Sequence, residues 1–97
     1  MRDTFFMRCK IGHGGFSSER RFEIELPGGE NLVGTAYVEY LVDSDKKPLP
    51  EDEPAYGKEI DGFVKCRKIR VDGDRILVEV PSADILRVTE NELEPMC

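Results

Sequence analysis

The sequence predicts an all-β fold, a small antiparallel barrel of five or six short strands interrupted by one long acidic loop that contains prolines. In several segments apolar and polar residues alternate with a period of two, which is the pattern of half-buried strands. No segment keeps apolar residues at helical spacing over the roughly ten positions that a helix needs. Short strands joined by tight turns, without helices, are typical of a small barrel or sandwich.

The first strands are predicted from their alternation. In the segment 5–11, Phe5, Met7, Cys9 and Ile11 share one face. The segment "RFEIEL" alternates in the same way and is followed by "PGGEN", whose proline and glycines are typical of a turn. We therefore expect a hairpin from Phe22 to Val42, with the small Gly34 allowing its second arm to bend.

A second hairpin is predicted from Phe63 to Val80, because an Asp-Gly pair at Asp72-Gly73 separates two extended runs. The alternation slips at Arg67-Lys68, which predicts a β-bulge there. A short strand over Ile85–Val88 and one helical turn in "ENEL" complete the chain.

Residues 43–59 form the long loop, with six acids and three prolines. Loops of this length inside a compact domain are usually functional or disordered. Two interpretations remain open, a solvated linker or a flexible arm that docks on a basic partner.

The tail "ILRVTENELEP" has a short last strand, one turn and an ending of acid, leucine, acid and proline. In this it resembles the close of many Src-homology-three-like barrels. The resemblance covers about the last sixty residues in the order of elements. It implies an SH3-like small barrel and a role as a binding module, and it assigns no binding residues.

The 97 residues predict one domain, 1–97, in which residues 1–6 are a flexible extension if Met7 is the biological start. The block Phe5 to Met7 is too short for a signal peptide and no run approaches the ~20 apolar residues of a membrane span. An odd count of three cysteines is typical of a reducing cytoplasm. We expect Cys9 and Cys66 to be buried and Cys97 to be exposed.

The chain carries a net charge of −6, but its basic residues cluster on the second hairpin. We predict a binding surface there that is completed by an aromatic residue of the loop: Tyr56, Lys65, Arg67, Lys68, Arg70 and Arg75. A protein is the expected partner. The alternative is a single-stranded RNA that stacks on Tyr37 or Tyr56, which the acidic total disfavours.

The stretch "GHGG" holds His13, the only histidine. It lacks the accompanying G-x-S-x-G of a hydrolase and the spacing of a phosphate loop, so a turn is the simpler interpretation. Cys9 and His13 do not have the dense spacing of a zinc site. We therefore expect no catalytic residues, no metal and no cofactor, and keep a small metal-dependent or hydrolytic enzyme centred on His13 as a further alternative.

Overall fold

The computed structural model describes residues 4–26 and 28–95, and it confirms the all-β prediction. Seven strands follow one another: β1 (Thr4–His13), β2 (Glu19–Glu25), β3 (Asn31–Tyr37), β4 (Leu41–Asp43), β5 (Glu59–Asp72), β6 (Arg75–Glu79) and β7 (Ile85–Val88). Two 3-10 turns, Val38–Tyr40 and Glu90–Glu92, are the only helical elements of these residues. None of the described segments is a helix long and apolar enough to cross a membrane.

The strands form one antiparallel sheet in the order β3-β2-β1-β5-β6-β7, which curls into a half-barrel. Strand β5 is the longest, with 14 residues, and one of its edges pairs with β1. Its other edge pairs first with β4 and then with β6. Because β4 follows β3 after a single 3-10 turn, the chain that leaves one end of the sheet returns to its middle strand.

Two apolar clusters hold the half-barrel together. The main core lies on the inner face and includes Ile11, Phe22, Val64 and Val78, all fully buried. A smaller cluster of Phe6, Val42 and Phe63 lies on the opposite face. The alternation therefore predicts the inner face correctly. The second cluster explains why the chain keeps aromatic residues on the outer face as well.

The first predicted hairpin is present, but its second arm is shorter than expected. β2 and β3 pair from Glu19↔Tyr37 to Glu25↔Asn31. The alternation continues to Val42, whereas the strand stops at Tyr37 and the 3-10 turn rotates the chain before β4 begins. The prediction of one continuous arm is wrong because β4 pairs with β5 and not with β2.

The close approach of another segment, and not only curvature, requires glycine at position 34. A Cβ added to Gly34 would lie 2.8 Å from the Cβ of Ser82 and 3.0 Å from the Cζ of Phe22. Ser82 belongs to the turn between β6 and β7. That turn therefore packs against the inner face of β3.

The second hairpin is confirmed, with β5 and β6 joined at Gly73, whose φ of 67° suits the turn. The predicted bulge is also present, and the register shifts between Lys68 and Arg70. The short strand Ile85–Val88 has the predicted bounds.

The described part of the predicted extension 1–6, residues 4–6, lies in a strand. Thr4 to Phe6 belong to β1, and Phe6 is buried against Val42 and Phe63. A backbone bridge also joins Phe6 to Glu94, because the last segment of the described chain runs along the start of β1. Met1 and Cys97 lie outside the described residues.

The acidic loop, residues 44–58, is tied to the barrel by one arginine. Arg20 in β2 is buried, with 3% of its surface exposed. Its guanidinium donates hydrogen bonds of 2.7–2.9 Å to four backbone carbonyls, those of Ser17, Glu19, Glu51 and Glu53. The loop therefore has a fixed attachment that its composition does not predict.

Candidate functional site

A groove of about 770 Å³ opens along one edge of β5, between the start of β4 and the end of β6. β4 reaches β5 at the pair Leu41↔Val64, and β6 ends on it at the pair Arg67↔Glu79. Lys65 therefore lies in a gap where this edge of β5 has no neighbouring strand. A groove of this volume has the size of a ligand-binding cleft.

The side of the groove formed by β3 and its 3-10 turn carries two exposed tyrosines. Tyr37 is 56% exposed and Tyr40 is 42% exposed, and both line the groove together with Thr35. Exposed tyrosines combine a large apolar ring with a hydroxyl, which is the reason that they are enriched at binding surfaces. The opposite side is the turn of Pro81 to Ala83.

The floor of the groove is formed by residues 65–67 of β5, with Thr4 of β1 beside them. Arg67 is held in an ion pair with Glu79, with 2.8 Å between Nη2 and Oε1. Lys65 has no ion pair within the described part of the chain. A carboxylate of a ligand could therefore form an ion pair with Lys65 without breaking an existing one, which is not the case for Arg67.

The bulge decides which basic side chains share a face with the groove. Arg67 is paired with Glu79, whereas Arg70 is paired with Leu77. Since residues 77 and 79 point to the same face of β6, Arg67 and Arg70 also share that face. Without the extra residue, two positions three apart in a strand would point to opposite faces.

The outer face of β5, β6 and β7 is consequently basic. From Lys65 onward it presents five cations and two acids: Lys65, Arg67, Arg70, Arg75 and Arg87 against Asp72 and Glu79. Two of the cations are paired, Arg67 with Glu79 and Arg87 with Asp72, each at 2.8 Å. None of the ion pairs among residues 4–26 and 28–95 joins these cations to the acidic loop. This local excess of positive charge contrasts with the acidic total of the chain.

The structure separates two of the predicted binding residues from the other four. Lys68 is paired with the buried Val78, so it points to the inner side, where its Nζ lies 5.7 Å from the ring centroid of Phe5. Tyr56 is 86% exposed and its ring packs edge-on against His13, with 5.6 Å between the centroids. Because His13 lies at the far end of β1, Tyr56 is remote from the basic face.

Tyr40 is a groove residue that the sequence places elsewhere. The alternation of the predicted second arm places it on the same face as Gly34, Val38 and Val42. The 3-10 turn removes it from that face. No local signal marks this turn, since β-branched and aromatic residues continue through it.

The structure does not bring His13 together with the thiols. Cys9 and Cys66 are buried in the main core. Burial, with a smaller contribution from the charge of Asp61, raises the pKa of Cys9 to about 12, and burial raises the pKa of Cys66 to about 12. Both therefore stay protonated and are poor nucleophiles and ligands at neutral pH. In the described part of the chain, no three His, Cys, Asp or Glu residues are grouped as a metal site would need.

The chain matches no protein-family model, and the comparisons with curated proteins and with solved structures give no significant match. The groove must therefore be interpreted from its own chemistry. It offers two tyrosine rings, the ammonium group of Lys65, to which no described residue forms an ion pair, and a neighbouring basic face. These features suit the binding of an extended, partly acidic ligand.

Proposed function

We propose that this chain is a non-enzymatic protein-binding module and that the groove is its contact surface. The observation that carries the proposal is the exposure of Tyr37 and Tyr40 beside Lys65, which forms no ion pair within residues 4–26 and 28–95. Two large apolar rings with one cation between strands form the kind of centre that supplies most of the energy at protein interfaces. We place the module in the cytoplasm, as the odd number of cysteines predicts.

The charge of the groove favours a partner segment that contains an acidic residue. The basic face continues from Lys65 and Arg67 toward Arg70 and Arg75. Complementary potentials accelerate association and select the partner more than they raise affinity. We therefore infer that the partner contributes at least one carboxylate near Lys65 and apolar side chains near the tyrosines.

A peptide selection tests this proposal. Random peptides of about eight residues, enough to span β3, are displayed and selected against the whole chain. The tightest one, called the selected peptide, is measured by calorimetry. Tyr37→Ala and Lys65→Glu are expected to weaken its binding by about tenfold or more. Tyr56→Ala and Lys58→Glu, which change exposed residues outside the groove, are the matched controls and should leave the affinity unchanged.

Two results would contradict the proposal. One is a selection that yields no peptide with a Kd below about 1 mM. The other is a peptide whose binding falls equally with Tyr56→Ala and Tyr37→Ala.

Single-stranded RNA is the second candidate, because tyrosines beside cations also suit stacked bases and phosphates. It predicts that a fluorescent oligouridine binds with an affinity that falls steeply between about 50 and about 200 mM salt. Binding of oligouridine at physiological salt, lost in Tyr37→Ala and retained in Tyr56→Ala, would favour RNA. The net charge of −6 leads us to expect no such binding.

We also propose that the barrel is of the Src-homology-three-like type. The support is β7 with its following 3-10 turn, Glu90–Glu92, in the tail that carries the resemblance. A crystal structure whose strand order or closure differs from that of these barrels would overturn the assignment.

A further inference from the structure

One edge of strand β3 has no hydrogen-bond partner in the described part of the chain. The N–H of Val38 donates to the carbonyl of Ser18, which fixes the phase of the ladder between β2 and β3. Because bonded and non-bonded positions alternate in antiparallel strands, Gly34 and Ala36 bond to β2. The N–H and C=O groups of Val33 and Thr35 therefore point away from β2. None of the backbone hydrogen bonds in the described chain satisfies them.

The free edge of β3 lacks the features that usually protect an edge strand. Proteins place charges, prolines or bulges on such edges, or keep them very short. β3 reads "NLVGTAY", seven residues without a charge, a proline or a bulge. The opposite edge of the sheet, β7, has only four residues and carries Arg87. β3 is therefore the edge that is suited to receive another strand.

The free edge adjoins the groove. Thr35 and Tyr37 line the groove, and their side chains lie on the outer face of β3. A strand that pairs with Val33 and Thr35 would lie along the free edge of β3, beside the turn of Pro81 to Ala83, which contacts the inner face of β3 at Gly34. Its side chains would alternate between solvent and the floor of the groove, where Lys65 has no ion pair among the described residues.

The charges favour a segment of another protein over a second copy of this chain. Two copies would each bring a net charge of −6, which opposes their association. A second β3 also has no carboxylate to offer Lys65, because the strand is uncharged. An acidic extended segment satisfies both the backbone edge and the cation.

We propose that β3 binds an extended, acid-containing segment of a partner protein by strand addition, with main-chain hydrogen bonds to Val33 and Thr35. The proposal rests on the proposed function and specifies how the groove recognises its partner. Main-chain bonds supply affinity in this mode, and the alternate side chains supply specificity.

The variant that tests strand addition is Thr35→Pro. Its N–H faces the open edge, so a proline there removes the donor to a partner without removing a bond to β2. We expect Thr35→Pro to bind the selected peptide about tenfold more weakly or worse. Urea denaturation of Thr35→Pro is the control, because its free energy of unfolding should stay within about 1 kcal/mol of that of the original chain if the proline removes no bond to β2.

Amide hydrogen exchange gives a second readout that does not depend on the folding of a variant. In the free chain the amides of Val33 and Thr35 should exchange quickly, whereas those of Gly34 and Ala36 should be protected. Addition of the selected peptide should protect Val33 and Thr35. In the bound peptide the N–H groups of every second residue should point toward β3. N-methylation of these amides should abolish binding, whereas N-methylation of the amides between them should not.

The outcomes separate this proposal from the proposed function. A selected peptide that needs Tyr37 and Lys65, but tolerates Thr35→Pro and leaves the exchange of Val33 and Thr35 unchanged, overturns strand addition and keeps the groove. Failure to select any peptide overturns both. A dimer of the original chain that Thr35→Pro dissociates would make a second copy the occupant, and would also overturn the proposal.

Discussion

The acidic loop and β3 satisfy their backbone groups in opposite ways. The loop has no regular secondary structure along most of its length, yet carbonyls near its middle, those of Glu51 and Glu53, accept hydrogen bonds from Arg20. β3 is a regular strand, yet its outer edge is open at Val33 and Thr35. Regular structure and complete hydrogen bonding are therefore different properties. An irregular segment can be fixed, while a regular one can remain available for a partner.

The start of the loop shows how this order is built locally. The carboxylate of Asp43 accepts hydrogen bonds from the N–H groups of Asp45 and Lys47, both at 2.9 Å. A side chain that bonds to its own following backbone in this way stabilises a turn. Within this turn, Lys46 pairs with Glu94 at 3.1 Å, which connects the loop to the end of the described chain.

The largest expected effect follows from the removal of the attachment of the loop. In Arg20→Ala the four carbonyls lose their donor, and water reaches them only if the loop moves away. We expect the free energy of unfolding to fall by about 3 kcal/mol. Urea denaturation measures the loss, and limited proteolysis should find new cleavage within residues 44–58.

Arg21→Ala is the matched control for this change. Arg21 is the next residue, but its partners Glu23 and Glu59 are side chains at the surface, at 3.4 and 3.2 Å. Such pairs contribute at most about 1 kcal/mol. Equal losses of stability in the two variants would mean that Arg20 does not fix the loop.

The next prediction concerns the inner face of β3, which the turn between β6 and β7 covers at Gly34. Gly34→Ala places a methyl group against Ser82 and Phe22, so the turn between β6 and β7 must shift. We expect a loss of about 1 to 3 kcal/mol in the free energy of unfolding, measured by urea denaturation. Gly28→Ala, at a position where an added Cβ meets no atom within 4 Å, should be neutral. An unchanged free energy of unfolding in Gly34→Ala would show that the turn does not pack closely against β3.

The sequence predicts most of the barrel because its signals are local. Alternation predicts β1 and β2, the pair Asp72-Gly73 predicts the second hairpin, and the slip of alternation predicts the bulge. These features depend on a residue and its immediate neighbours. The same local reasoning correctly places Lys65, Arg67, Arg70 and Arg75 on one pair of strands.

The groove and the attachment of the acidic loop could not be predicted from the sequence, because both depend on contacts between residues that are far apart along the chain. Arg20 donates to carbonyls that are 31 and 33 residues away in the sequence. Within "ERRFEIE", Arg20 and Arg21 differ only in the face of the strand to which they point. The break after Tyr37 is also invisible locally, since the pairing of β4 with β5 determines it. For Tyr56 the sequence predicts a contact that the fold does not make. We expect it to complete the basic surface, but it lies beside His13 and far from the cations.

The smallest effect on stability, and the sharpest test of the groove, is expected from Glu79→Gln. Arg67 and Glu79 pair at the surface, with 64% and 34% of their side chains exposed, so the loss should not exceed about 1 kcal/mol. The substitution removes a carboxylate that would compete with the carboxylate of the proposed partner for Arg67. We therefore expect the affinity for the selected peptide, measured by calorimetry, to rise by about threefold or more.

Asp72→Asn separates this local effect from a general change of charge. The pair of Asp72 with Arg87 has the same 2.8 Å distance as that of Glu79 with Arg67 and lies on the same face, but neither of its residues lines the groove. Both substitutions remove one negative charge. A difference in peptide affinity between the two variants therefore depends on where the removed carboxylate lies and not on the net charge. If Asp72→Asn raised the affinity as much as Glu79→Gln, the peptide would respond to the basic face as a whole. The floor of the groove at Lys65 and Arg67 would then not be the place where its carboxylate binds.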